Sequence, residues 1–163
     1  HCRTPYGAAF NMQARHSVII QYSNGGSSRT DYVNGNFIYA VDTLGHFLWN
    51  RIVPSMLTAG NAAYCVSSLF CVGNVVYYVQ NENAKSTSEY NPLHIDNPYS
   101  VAKTGNVGIY TFTADGTVQK QLLCPKSNSE GPLMRLARPN ADSPDRCLVR
   151  GKGNNAVLYR LDF

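Results

Sequence analysis

The sequence has 163 residues, of which 44% are hydrophobic and 15% charged, and its formal net charge at pH 7 is +4. This length suits one domain, residues 1–163, with a core of its own, and the apolar share excludes a wholly disordered chain. The low charge content argues against a coiled coil, and no apolar run approaches the roughly 20 residues needed to span a bilayer. Because Lys and Arg are scattered, nucleic acid is not an expected partner.

Runs of Val, Ile, Tyr and Phe recur along the chain and predict eight β-strands. They are Ser17–Tyr22, Asn36–Val41, His46–Val53, Ala63–Val72, Asn74–Gln80, Val107–Thr113, Thr117–Leu123 and Val157–Asp162. Gly, Asn, Asp or Pro residues bound these runs, and no stretch has a helical period with caps. Pro132–Arg138 is expected to form one short turn. The pattern predicts an all-β fold built from antiparallel hairpins.

Two segments, Gly35–Pro54 and Val107–Pro125, share one pattern at a constant offset. The matching pairs, each 71 positions apart, are Tyr39 and Tyr110, Gly45 and Gly116, and Pro54 and Pro125. Each segment is expected to form a strand, a glycine turn, a second strand and a proline that ends the pairing. A looser echo is a Gly-Asn dipeptide expected to form a turn before a strand, at Gly35-Asn36, Gly73-Asn74, Gly105-Asn106 and Gly153-Asn154. The sequence therefore predicts antiparallel hairpin repeats.

The first of these segments carries a recognisable order of residues. It has Tyr39, Ala40, Asp42, Gly45 and Trp49. With this order the segment resembles a blade of the quinoprotein-like β-propellers, whereas the second segment has Thr113 and Lys120 in place of the Asp and the Trp. The resemblance implies a propeller-like array, either a small propeller or a propeller fragment, and it says nothing about a quinone cofactor because the motif is architectural. A trefoil or a sandwich built from hairpins is the alternative fold.

Five cysteines bear on the compartment and on covalent links: Cys2, Cys65, Cys71, Cys124 and Cys147. Their odd number leaves one thiol without a partner inside the chain. On one strand Cys65 and Cys71 would lie about 20 Å apart, so they can pair only if the chain turns between them. A Cys124–Cys147 bridge is the alternative. Disulfides favour an extracellular or secreted protein, with buried thiols in a reducing compartment as the other interpretation.

A loop rich in Pro and Asn, Tyr90–Tyr99, joins two predicted strands and is the candidate binding site. Its candidate ligand-binding residues are Tyr90, Asn91, His94, Asp96, Asn97 and Tyr99. Aromatic rings can stack on the C–H face of a sugar, while amides and carboxylates pair with its hydroxyl groups. Trp49 is a further candidate as a stacking platform, with a place in the core as the alternative, and an ordinary polar loop is the alternative for the whole segment.

Two function classes follow from these residues. The first is a non-enzymatic extracellular recognition module that binds a glycan or a protein surface and needs no cofactor. The alternative is a secreted enzyme with unassigned catalytic residues, either a hydrolase or a copper-dependent oxidase. In the oxidase, His1 would bind copper through its amino group and imidazole, with His46 or His94 as the further ligand. A chain that starts at His1 indicates a processed, truncated or tag-derived end.

Basic residues gather in the C-terminal third, at Arg135, Arg138, Arg146, Arg150 and Lys152. They are expected to form a solvated face, with contact to an acidic surface or a phosphate-rich ligand as the alternative.

The last predicted strand, Val157–Asp162, has little chain after it to pair with on its far side. An unpaired edge promotes aggregation, so we expect this strand to close against Ser17–Tyr22. Completion by another copy of the chain, or by a longer parent chain, is the alternative.

Overall fold

The computed structural model describes residues 1–59, 66–82, 87–93, 106–124, 133–138, 143–152 and 155–163. These residues form eleven strands: β1 (Cys2–Thr4), β2 (Gly7–Gln21), β3 (Ser27–Asp42), β4 (Phe47–Ala59), β5 (Ser67–Val72), β6 (Val75–Asn81), β7 (Val107–Phe112), β8 (Val118–Cys124), β9 (Leu133–Ala137), β10 (Arg146–Lys152) and β11 (Asn155–Leu161). The all-β prediction is confirmed, and all eight predicted runs overlap strands. Nothing in the described part of the chain is a helix of the length and apolarity needed to cross a membrane.

The strands form three antiparallel sheets in which each strand pairs with its neighbours along the chain. We call them the N-terminal sheet (β1-β2-β3-β4), the middle sheet (β5-β6-β7-β8) and the C-terminal sheet (β9-β10-β11). None of them closes into a barrel. Pairing between chain neighbours keeps the loop-closure entropy small.

Two expectations about the C-terminal sheet are wrong. Leu133–Ala137 is strand β9, paired with β10, and not a turn. The last strand, β11, pairs with β10 in a regular register from Arg146↔Leu161 to Lys152↔Asn155, whereas Ser17–Tyr22 pairs with β3. The short β10–β11 connection keeps the loop-closure entropy of this hairpin small, and among the described residues β11 remains an edge strand of the C-terminal sheet.

The middle sheet is sandwiched between the other two, so its central strands are apolar on both faces. One core cluster joins it to the N-terminal sheet: Ala9, Ile38, Ala40, Trp49, Val53, Val76, Tyr78, Tyr110 and Phe112. A second cluster joins it to the C-terminal sheet: Phe70, Val79, Val107, Ile109, Cys124, Leu133 and Leu148. On β6, Val76 and Tyr78 belong to the first cluster and Val79 to the second. The alternation of side chains along each strand thus fills two cores from one sheet.

The predicted hairpin repeat is present as two matching turns. The φ angle of Gly45 is +87° and that of Gly116 is +80°, a region that favours glycine. The equivalent backbone hydrogen bonds are Asp42 N to His46 O (2.8 Å) and Gly45 N to Asp42 O (3.1 Å) in the first turn, and Thr113 N to Thr117 O (3.0 Å) and Gly116 N to Thr113 O (2.9 Å) in the second. The constant offset in the sequence therefore corresponds to a constant backbone conformation.

The two other local signals of the repeat hold only in part. Gly73-Asn74 is the turn between β5 and β6, but Gly35-Asn36 lies inside β3, where the expectation of a turn is wrong. The expectation that Pro54 ends pairing is also wrong, because β4 continues to Ala59 and Pro54 lies opposite Gly35 beside a register shift. Such a bulge accommodates a residue that has no N–H to donate. Gly105-Asn106 and Gly153-Asn154 include residues outside the described ranges.

Buried amides connect the sheets through hydrogen bonds. Asn36 Nδ2 on β3 donates to Gln80 Oε1 on β6 (2.9 Å), and Gln80 Nε2 donates to Pro54 O (3.2 Å). On the other face, Asn81 Nδ2 donates to Leu133 O (2.8 Å) and Leu133 N donates to Asn81 Oδ1 (2.7 Å). Two successive residues of β6 therefore hold the middle sheet to both of its neighbours.

A buried ion pair lies at the interface of the N-terminal and middle sheets. Lys120 Nζ is 2.8 Å from Glu82 Oε2, and the two side chains are only 8% and 3% exposed. The Tyr110 hydroxyl and Gln80 Nε2 both donate to Glu82 Oε1. Burial, followed by the charge of Glu82, raises the pKa of Tyr110 above its ordinary value. Glu82 directly follows β6, Tyr110 lies on β7 and Lys120 lies on β8, so the ion pair ties together three strands of the middle sheet.

One disulfide joins Cys2 of β1 to Cys71 of β5, across 69 positions of sequence. Cys71 is thus not bonded to Cys65, which lies outside the described residues. Cys147 is a free thiol, so the alternative Cys124–Cys147 bridge is not formed either. The bridge that forms links the N-terminal sheet to the middle sheet, a pairing that depends on how the two sheets stack.

Candidate functional site

Only the start of the predicted binding loop, Tyr90–Tyr99, is described. His94, Asp96, Asn97 and Tyr99 lie outside the described residues. Tyr90 is half-buried, its ring meets that of Tyr110 edge-on at 6.2 Å between centroids, and its hydroxyl donates to Ile52 O (2.8 Å). Partial burial raises the pKa of Tyr90. Exposed Asn91 accepts a hydrogen bond from Leu93 N (3.0 Å), a local loop contact.

Trp49 lies in the core between the N-terminal and middle sheets. It is 5% exposed, it stacks on Phe112 with 5.5 Å between ring centroids, and its Nε1 donates to Ala114 O (3.1 Å). Both its apolar face and its polar group therefore have partners inside the protein. This placement matches the alternative interpretation of Trp49 as a core residue.

The candidate metal ligands His1, His46 and His94 have different surroundings. The ring of His1 stacks on Phe10 with 5.6 Å between centroids. His46 Nδ1 lies 2.9 Å from Asp42 Oδ2 at the hairpin turn. Hydrogen bonds from His46, above all from its backbone N–H, lower the pKa of Asp42. His94 lies outside the described residues. Within the described part of the chain, no group of three or more His, Cys, Asp or Glu residues is placed to hold a metal ion.

A cleft of about 530 Å³ opens where the three sheets meet, and we refer to it as the basic cleft. Residues 1–3 line it from β1 and the position before it, residues 68–71 from β5, and residues 136–138 from the end of β9 and the position after it, with Arg146 at the start of β10. Its volume is in the ordinary range of small-molecule sites. The Cys2–Cys71 disulfide belongs to the lining, so a covalent link holds two of its walls together.

Arg146 is the most constrained charged side chain of this cleft. The residue is 4% exposed, and its Cζ lies 4.5 Å from the centre of the Phe70 ring. Its Nη1 donates to the carbonyl oxygens of Pro144 (2.5 Å) and Asp145 (2.9 Å). A cation on an aromatic face, held in addition by carbonyl groups, has little rotational freedom left. Burial, and next the charge of Arg138, lower the pKa of Arg146.

The charge of the basic cleft has one sign. Arg3, Arg138 and Arg146 line it together with His1, and its described lining contains no Asp or Glu. Asp145 adjoins Arg146 in sequence, and its charge favours the charged form of Arg146, while its carboxylate also accepts a hydrogen bond from Arg160 Nη2 (2.6 Å). Guanidinium groups present planar sets of donors that match carboxylate, sulfate and phosphate oxygens. The arrangement can therefore bind an anionic group.

The sequence pointed to part of this cleft through the C-terminal basic residues. The expectation of a solvated face is wrong for Arg146 and Arg150, which are 4% and 1% exposed, while Arg138 is exposed and lines the cleft. No local sequence pattern indicated that Arg3 and the β5 segment belong to this cleft, since they meet the C-terminal sheet only through tertiary packing. A prediction of the Cys2–Cys71 disulfide would have placed Arg3 next to β5.

Comparisons of this chain with protein-family models, with curated proteins and with solved structures find no match.

Proposed function

We propose that this chain is a non-enzymatic recognition module of an extracellular protein, and that it binds a glycan in the basic cleft. The observation that carries the proposal is the cleft itself, a cavity at the junction of three sheets with guanidinium donors positioned around it. Sites of this kind combine apolar walls with a few directed polar groups. Leu69 and Leu136 offer apolar contact to the C–H face of a sugar, while Ser68 and the arginines offer hydrogen bonds to its oxygens.

Rigid support for the site favours binding without large rearrangement. The lining residues lie on or next to β1, β5, β9 and β10, and the Cys2–Cys71 bridge ties the first two strands together. A preorganised site spends little free energy on ordering its side chains when the ligand arrives. The disulfide is also compatible with an extracellular location, where such bonds persist.

We further propose that the three sheets are successive blade-like units of a propeller or of a propeller fragment. Each is an antiparallel meander, and each packs face to face on the next. Trp49, from the hairpin of the first unit, packs on Phe112 of the equivalent hairpin in the second unit. A larger parent chain or a second copy would complete such an array.

The first experiment is a glycan array followed by calorimetry on every glycan that binds. Ala137→Trp fills the cleft from a half-buried position, whereas Leu93→Trp places the same ring on a residue that is 85% exposed and outside the cleft lining. We expect Ala137→Trp to abolish binding and Leu93→Trp to leave it unchanged.

Three results would overturn this proposal. The first is an array on which no glycan binds, and the second is binding by the cleft-filling variant as tight as that of the unmodified chain. The third is cleavage or oxidation of the bound glycan, detected by mass spectrometry, which would establish the alternative of a secreted enzyme.

A further inference from the structure

We propose that two copies of this chain pair edge to edge through β2, antiparallel to each other, with a two-fold axis at Ile19. The contact joins two N-terminal sheets into one continuous antiparallel sheet. No residue of β2 lines the basic cleft, so this dimer and the proposed glycan function can be tested separately.

The hairpin of β2 and β3 extends beyond the strands that flank it, and we call this part, residues 17–29, the arm. On one side, β1 pairs with β2 only at residues 7–9. On the other side, β4 pairs with β3 only as far as Asp31. Among the described residues, therefore, no third strand pairs with the arm. A hairpin of two strands alone is marginally stable in water, so the arm gains stability when a further strand joins it.

Apolar side chains of the arm face solvent. Val18, Ile19 and Ile20 follow one another on β2 and all three are exposed, Ile19 by 62%. Because side chains alternate along a strand, Ile19 lies on one face of the arm and the other two lie on the opposite face. Residues 17–22 contain no Pro and no charged residue. An exposed edge of this composition is a template for pairing with another strand.

The backbone groups of the arm alternate in direction. Tyr22 N donates to Gly26 O (2.8 Å), so the backbone of Tyr22 is bonded to the β3 side of the hairpin. The register continues from this pair along the arm without a shift. Since bonded and non-bonded pairs alternate in an antiparallel ladder, the N–H and C=O groups of Ser17, Ile19 and Gln21 point away from β3. These are the groups that a further strand would bind.

A second copy of β2 matches these groups when it lies antiparallel with Ile19 opposite Ile19. The two Ile19 residues then exchange both of their backbone hydrogen bonds, and Ser17 of each copy does so with Gln21 of the other. The same register places Val18 opposite Ile20, which pairs apolar side chains with apolar ones. The edge is thus complementary to itself in backbone and in side chains, and this favours a second copy as the occupant.

Charges near the contact do not oppose this register. Arg15 would lie opposite Ser23 of the second copy, and Arg29 is on β3, one strand away from the contact. Asp31 lies 3.0 Å from Arg29 and 4.0 Å from Arg15, so it offsets part of their charge. Like charges directly opposite each other would destabilise the pairing, and this register has none. The net charge of +4 on each chain leaves a long-range repulsion that salt screens.

Sedimentation velocity of the full chain over a range of concentrations measures the association. Ile19→Lys places two ammonium groups opposite each other at the two-fold axis, where they repel. Leu158→Lys is the matched control, because Leu158 is 66% exposed and lies on β11, an edge strand of the C-terminal sheet. Both variants add one positive charge to each chain.

The contact is small, so we expect a weak dimer with a dissociation constant on the order of 10 μM. Ile19→Lys should raise this constant at least tenfold, while Leu158→Lys should leave it unchanged within about twofold. Added salt should tighten the dimer of the unmodified chain, because it screens the repulsion between two chains of like net charge.

Cysteine cross-linking tests the register itself. In a hydrogen-bonded antiparallel pair the Cα atoms are about 5.5 Å apart, which is within the span of a disulfide. Val18 would lie about 7–8 Å from Val18 of the second copy, at the limit of that span. On oxidation, Ile19→Cys should therefore form a covalent dimer that a reducing agent removes, and Val18→Cys should not. Equal cross-linking of the two variants would overturn the register.

Four results of the sedimentation and stability measurements would overturn the dimer. One is a chain that stays monomeric at about 1 mM. Another is loss of the dimer in Leu158→Lys but not in Ile19→Lys, which would place the contact on the C-terminal sheet. A third is growth beyond the dimer as the concentration rises, since a two-fold contact closes on itself. The last is a lower free energy of unfolding of Ile19→Lys at concentrations where the unmodified chain is monomeric, which would mean that another segment of the same chain covers the edge.

Discussion

Gly116 combines a left-handed backbone with a close approach to Trp49, and this makes its replacement by alanine a sharp test of how two sheets pack. Its φ angle is +80°. A Cβ atom at this position would lie 2.7 Å from Trp49 Cγ and 2.9 Å from Trp49 Cβ. Gly45, the equivalent residue of the first hairpin, has a φ angle of +87°, and a Cβ there would meet no atom within 4 Å. The two glycines thus share a left-handed backbone conformation, but only at Gly116 would an added Cβ atom collide with Trp49.

The expected magnitudes follow from these two features. An alanine forced into the left-handed region costs about 1–2 kcal/mol, which should be the whole effect of Gly45→Ala. Gly116→Ala carries the same cost plus about 1–3 kcal/mol for overpacking. Trp49 cannot easily move away, because it stacks on Phe112 and its indole N–H donates to Ala114 O. The lower entropy of the unfolded alanine variants is common to both and cancels in the comparison.

Urea unfolding followed by far-ultraviolet circular dichroism measures the free energy of unfolding of each variant. We expect Gly116→Ala to lose about 1–3 kcal/mol more than Gly45→Ala, with unchanged m-values. A double-mutant cycle with Trp49→Ala isolates the contact. In the Trp49→Ala background, which removes the indole but keeps the Cβ atom 2.9 Å away, the cost of Gly116→Ala should fall toward that of Gly45→Ala without reaching it.

Equal losses for the two glycine variants would refute this reasoning, since they would mean that Trp49 does not press on the turn. An unchanged cost of Gly116→Ala after removal of Trp49 would refute it in the same way.

Three further outcomes are expected. Cys2→Ser removes the bridge to Cys71, which closes a loop spanning 69 positions, so the free energy of unfolding measured by urea unfolding should fall by about 4 kcal/mol. A loss below about 1 kcal/mol would contradict this expectation. Lys120→Met should lower the free energy of unfolding by about 3–5 kcal/mol in the same assay, because it leaves Glu82 buried without its cationic partner. Adding Glu82→Gln should recover part of this loss. A loss as small as that expected for an exposed lysine would contradict a stabilising buried pair. The hydrogen bond from the Thr113 hydroxyl is the main cause that lowers the pKa of the Asp115 carboxyl from 3.8 to about 2, so the contribution of Asp115 to folding stability is complete above about pH 4 and is lost as the pH falls through about 2. Across this interval the melting temperature of Asp115→Asn should depend less steeply on pH than that of the unmodified chain. An equally steep pH dependence in both proteins would exclude the effect.

The local sequence determined the strands and the hairpin turns of this protein. Runs of apolar residues with turn residues between them placed all eight predicted strands, and the glycine shared by the two repeats marked the same turn at Gly45 and Gly116. These features depend on residues a few positions apart, whose backbone preferences and alternation act before any sheet packs.

Identical local signals had different outcomes where tertiary contacts differ. Gly73-Asn74 forms a turn, but Gly35-Asn36 lies inside β3, because β2 and β4 pair with it on both sides. At the equivalent positions of the two hairpins, Trp49 fills the core while Lys120 pairs with Glu82. The partners that each residue meets decided these outcomes: β2 and β4 for Gly35-Asn36, Phe112 for Trp49 and Glu82 for Lys120.

The basic cleft and the disulfide were decided by tertiary structure alone. Arg3, Phe70 and Arg146 come from three different sheets, and no spacing in the sequence relates them. Stacking of the sheets brings them together, because each sheet must bury its apolar face against another. The local sequence pattern thus specifies the strands and hairpins of each sheet. The burial of apolar sheet faces that are far apart in the sequence specifies how the three sheets pack and which charged side chains lie together in the cleft.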